Sequence, residues 1–203
     1  MRLQAADLRL LLGLLLAHLL LFFSFQDKSV FWYIYTASLL LLITYAILQE
    51  DVDDQAGFFS YISLGVLSGL LLYGIFWIGY HGVGFLKIGL QRDTHQLYRW
   101  FGPSLFWEYL ALILVAGPGE ELFWRGFIQK RLLNYFKPIV GIVIGAILYA
   151  SVHIYSGQFI LVFAAFISGL AWGALYFWKK SMPIVIVSHL VFDIMIFIII
   201  PFK

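Results

Sequence analysis

Runs of roughly twenty residues without Asp, Glu, Lys or Arg recur along this chain. They lie at 10–25, 30–48, 58–80, 139–154 and 159–178, and another at 183–200 is broken only by Asp193. A helix needs about 20 predominantly apolar residues to cross a bilayer, so each run reads as a transmembrane helix. Hydrophobic residues make up 63% of the chain and charged residues 12%, where a soluble domain carries about a quarter charged. The expected fold is therefore all-α: a polytopic membrane helix bundle of seven or eight transmembrane helices, multi-pass in the cell membrane, with the lipid bilayer as its solvent. A net charge of +2 without a basic tract gives no footing for nucleic acid. Cysteine is absent, which excludes disulfides and thiolate ligands. Arg2 and Arg9 ahead of an apolar run imitate a secretory signal, but no small-x-small site closes that run, so it is expected to remain as the first span.

Residues 49–55 form a short acidic loop, and 81–102 mix Lys87, Arg92 and Arg99 with Phe85, Leu86, Leu97 and Trp100, the pattern of an amphipathic interfacial segment. These features divide the chain into N-terminal spans and an interfacial segment (1–102) and a second unit (103–203). Lys130, Arg131 and Lys137 mark one hairpin and Lys179 and Lys180 another. Two spans separate them, so both face one side, the cytoplasm by the positive-inside rule. If Pro118 ends a helix, the count is eight; if one kinked helix runs through Gly117-Pro118-Gly119, the count is seven and Arg9 joins the basic side.

Gly117-Pro118-Gly119-Glu120-Glu121-Leu122-Phe123-Trp124-Arg125 places two carboxylates and a guanidinium in an apolar span, where ionisable groups are costly and mark function by default. Tyr149 and His153, then His189 and Asp193, are pairs four residues apart, on one helix face. Glu120 lies 17 residues before Lys137 and His153 lies 16 after it. At 1.5 Å per residue both stand roughly 24–26 Å from the turn between them, level on antiparallel neighbours. A glutamate and a histidine so placed activate a water for attack on a carbonyl. Arg125, one turn from Glu121, holds that second carboxylate ionised and leaves Glu120 free to take the proton. The remaining pair stabilises the oxyanion.

Glu120-Glu121-x-x-x-Arg125, Tyr149-x-x-x-His153 and His189-x-x-x-Asp193 together resemble the CPBP family of intramembrane proteases, which includes the type II CAAX prenyl endopeptidases and bacterial Abi-type proteins. The similarity covers roughly 103–200 and makes 103–203 a CPBP-like catalytic core. It implies that Glu120 and His153 activate water, that His189 and residue 193 stabilise the oxyanion, and that Glu121, Arg125 and Tyr149 support them. The implied substrate is a membrane-associated protein or peptide, with a prenylated CAAX terminus as the form the family name carries. Tyr149 stands where the family has phenylalanine, adding a hydroxyl that needs a partner. Asp193 stands where the CAAX branch has asparagine; an ionised aspartate cannot donate to an oxyanion, so it is protonated, orients His189 or binds a cation. No cofactor is favoured. Zinc on His153, His189 and Glu120 is the alternative.

Other classes stay open. Proline followed by two acids also starts an ordinary helix, and buried Glu/His pairs serve proton-coupled transporters. A non-catalytic scaffold or immunity protein would use the same pairs only to clip helices together. His18 reads as a packing residue, His81 and His95 as interfacial, and Glu108 as part of the aromatic headgroup belt.

Overall fold

The computed structural model describes residues 7–84 and 90–202, which contain eight helices and, as the only extended pairing among them, one antiparallel bridge between Asp54 and Ser181. Lys87, Phe85, Leu86 and Arg2 lie outside the described residues. The elements are α1 (Leu8–Gln26), α2 (Phe31–Gln49), α3 (Phe58–Gly84), α4 (Leu90–Phe101), α5 (Phe106–Leu132), α6 (Pro138–Val152), α7 (Phe159–Lys179) and α8 (Met182–Ile194). α6 is prolonged by a 3₁₀ turn, His153–Ser156, and α8 by a π-helical turn, Met195–Ile199.

Six helices are long and apolar enough to cross a membrane, and α4 with α5 makes a seventh if that bent pair is one span. The chain does not break at Pro118. Proline lacks an N–H and clashes with the carbonyl four residues back, and here π-helical turns at Leu112–Ala116 and Trp124–Gln129 flank Gly117–Phe123, so the helix continues through. The described residues therefore give six or seven spans, within reach of the expected seven and short of eight. α4 turns 101° from α5, as an interfacial helix does.

Along α1, Leu8, Leu11, Leu12, Leu15 and Leu19 are exposed, while Gly13, Ala17, Leu21 and Phe25 point inward. In lipid that apolar outer face is the solvated one, and packing between helices comes from small residues that let backbones approach. α3 lies against α8 in this way: a Cβ on Gly69 would meet the Ser188 carbonyl oxygen at 2.5 Å.

One face of the bundle gathers Asp7, the 50–55 loop, the α5–α6 turn and the α7–α8 turn. Lys130 bonds Asp53 at 2.9 Å, Arg131 bonds Asp7 at 2.5 Å and Glu50 at 3.1 Å, and Tyr176 donates to Asp53. The Asp53 carbonyl accepts from Met182 N–H at 2.8 Å. Both basic hairpins therefore share a face, as their spacing requires, and Arg9 joins them, its carbonyl accepting from Tyr45 at 2.7 Å. Arg92 and Arg99, on α4, lie at the other end.

Burial pushes the Asp53 carboxyl up, but hydrogen bonds from Tyr176 and Lys130 and the charges of Lys130 and Lys180 outweigh it and hold the group below its ordinary value. A depressed carboxyl stabilises the fold above the unfolded value, about 3.9, and the contribution fades as pH falls through the folded value. Thermal unfolding in detergent micelles should therefore show a midpoint that drops below about pH 4 in the wild type and a shallower acid dependence in Asp53→Asn.

Candidate active site

α2, α5, α6, α7 and α8 bring their polar residues to one buried locus. Glu120, Glu121, Arg125, Tyr149, His153, His189 and Asp193 are all buried. Glu120 is held at both ends of its carboxyl group: Tyr35 of α2 donates to Oε1 and Tyr149 of α6 donates to Oε2. The extra hydroxyl at 149 thus has its partner. Each oxygen keeps a second lone pair for another donor.

His153 sits where α6 tightens into its 3₁₀ turn, which ends at Gly157 with φ 68°, a left-handed position that suits glycine. Its Nδ1 is 2.9 Å from the Tyr149 carbonyl oxygen. A carbonyl only accepts, so Nδ1 carries the proton, and in the neutral ring Nε2 holds the free lone pair. The ring packs edge-on against Tyr149 at 4.9 Å.

The second carboxylate belongs to a separate network. Glu121 Oε1 lies 2.9 Å from Arg125 Nη1 and 2.7 Å from His189 Nδ1. Arg125 also lies over the Tyr149 ring at 4.6 Å and the Trp172 ring at 5.4 Å. His189 stacks on Trp172, centroids 3.8 Å apart and planes 20° from parallel. Asp193 Oδ2 is 3.6 Å from His189 Nε2, too long for a hydrogen bond. The nearer partner of His189 is therefore Glu121 on another helix, not the aspartate on its own.

The remaining histidines and Glu108 stand apart. His18 bridges to Tyr155 at 2.9 Å, and His81 packs against Trp77 beyond the core. Glu108 accepts from the Ser104 and Leu105 N–H groups at 2.6 and 2.9 Å and so caps the start of α5. Tyr35 and Trp172 are the site residues absent from the sequence motifs. Tyr35 shares the buried stripe of α2 with Phe31, Ser38, Leu39, Leu42 and Ala46, and that spacing is the one signal it leaves.

Among the described residues no three His, Asp or Glu side chains are disposed to hold a metal ion.

No match was found among curated proteins or among solved structures. Residues 102–195 match the family model described as type II CAAX prenyl endopeptidase Rce1-like, a segment that contains all three motifs and every site residue except Tyr35. That segment of this multi-pass membrane chain is thus similar to the Rce1-like family of type II CAAX prenyl endopeptidases.

Proposed function

We propose that the chain is an intramembrane endopeptidase that hydrolyses a peptide bond of a membrane-associated protein or peptide with water activated between Glu120 and His153. The observation that carries this is the contrast between two buried carboxylates. Glu121 is tied to a guanidinium and an imidazole, whereas Glu120 meets only hydroxyl donors and stands near a histidine whose Nδ1 is already committed. A carboxylate without a cation bonded to it is the one able to take and return a proton.

In this mechanism water gives its proton to Glu120 or to His153 Nε2 as its oxygen bonds to the scissile carbonyl carbon. The carbonyl π electrons move to oxygen, and the resulting oxyanion is met by His189. Glu121 accepts a hydrogen bond from Nδ1–H of His189, and when the ring is also protonated at Nε2, Nε2–H is the donor aimed outward. Asp193 Oδ2, 3.6 Å from that edge, supplies a carboxyl group beside it without bonding to it. Collapse of the intermediate expels the amine, which takes the proton held by Glu120 or His153. Trp172, stacked on the ring, and Glu121, bonded to its Nδ1, keep the imidazole plane fixed, and fixed donors are what make such stabilisation effective.

The lysine- and arginine-bearing face is assigned to the cytoplasm by the positive-inside rule, in the cell membrane. A prenylated CAAX terminus is the substrate form that the family description names. Comparing protein N-termini by mass spectrometry in cells making wild type or His153→Ala at matched levels tests the proposal. New termini confined to wild type are expected. Identical sets, with the variant folded, would overturn it in favour of a transport or scaffold role.

A further inference from the structure

Tyr35 is the one site residue that comes from outside the matched segment. Its ring has little freedom. It stacks on Phe31 with centroids 4.9 Å apart and planes at 19°, and lies edge-on to Trp32 at 6.2 Å. Phe31 is itself stacked on Phe25 at 5.3 Å and packed against Phe101 at 4.9 Å. The hydroxyl is therefore aimed by a packed aromatic wall spanning α1, α2 and α4. Tyr149 is held comparably, between Trp124 at 5.5 Å and the Arg125 guanidinium at 4.6 Å.

A glutamate side chain has three rotatable bonds, and one hydrogen bond leaves its carboxyl plane free to swing. Two donors on different helices, one per oxygen, fix the plane and leave the remaining lone pairs pointing in defined directions. Reacting groups have to be held within a fraction of an ångström by neighbours that are themselves locked by packing, and Tyr35 meets that condition. The other charged or titratable groups around Glu120 are Tyr149 and His153 on α6, His189 and Asp193 on α8, and Glu121 and Arg125 on its own helix.

We infer that Tyr35 is a positioning residue for Glu120, so that the reacting centre is assembled from the N-terminal helices as well as from the Rce1-like segment. The inference rests on the proposed hydrolytic role of Glu120 for its consequence, and on the Tyr35–Glu120 contact for its substance, and the two are tested separately.

The full chain is placed in lipid nanodiscs, and the infrared carboxyl bands of Glu120 are assigned by their loss in Glu120→Gln. In Tyr35→Phe, which keeps the stacked ring and removes only the hydroxyl, those bands should be displaced. In Tyr33→Phe, a lipid-exposed tyrosine against Trp107, they should not move. Glu120-dependent protein termini in cells should fall about 10- to 100-fold in Tyr35→Phe, the scale of a misplaced reacting group, and stay at the wild-type level in Tyr33→Phe. Unchanged bands in Tyr35→Phe overturn the inference, and so do displaced bands with undiminished termini. If the wild type yields no Glu120-dependent termini, the proposed function fails, and the infrared result alone decides whether Tyr35 orients Glu120.

Discussion

Cells making Glu120→Gln should lose the protein termini that the wild type generates, by about 10²- to 10⁴-fold, the contribution of a positioned general acid–base group. The substitution is nearly isosteric. The amide oxygen still accepts from one tyrosine, and the amide N–H₂ faces the oxygen of the other, which also accepts. The fold should therefore persist while the proton-accepting function vanishes. N-terminal mass spectrometry at matched membrane abundance measures the first quantity, and the thermal midpoint in detergent measures the second. A variant that unfolds would place Glu120 among the structural clips. One that folds and yields the full wild-type set of termini would remove Glu120 from the chemistry.

Glu120, Glu121 and Arg125 are legible in the sequence because an apolar run makes every charge conspicuous. His153 is legible because counting residues from the 133–137 turn sets its depth. Counting resolves depth only to about a turn, and the contact that forms is from Glu120 to Tyr149, four residues before His153. Spacing within one helix ties His189 to Asp193, yet packing between helices gives it Glu121 at 2.7 Å. Periodicity along one element cannot weigh a partner 68 residues away. Tyr35 was hidden for a different reason. In the run Phe31-Trp32-Tyr33-Ile34-Tyr35 two tyrosines look equally like headgroup-belt residues, and only the rotation of α2 in the bundle turns one to lipid and the other to Glu120. The span count had a similar source: whether a proline ends a helix depends on neighbours that absorb its missing hydrogen bond, here through the π-helical turns on either side.

Removing Arg125 is expected to be the most destabilising single change in the site. Its side chain is 2% exposed and that of Glu121 is 0% exposed, so Arg125→Ala leaves a carboxylate in an apolar interior with His189 as its one remaining partner. Breaking a buried ion pair from one side costs about 3–5 kcal/mol. The lost packing of the guanidinium between Tyr149 and Trp172 adds to this, because a long arginine side chain contributes through contact as well as charge. Denaturant unfolding in micelles should show that loss for Arg125→Ala. The double variant Glu121→Gln with Arg125→Met should recover much of it, since no charge is then stranded and the methionine refills the space between the rings. If the single variant is as stable as wild type, the buried Glu121–Arg125 pair contributes little to stability. If the double variant is no better than the single, shape rather than charge carries the energy.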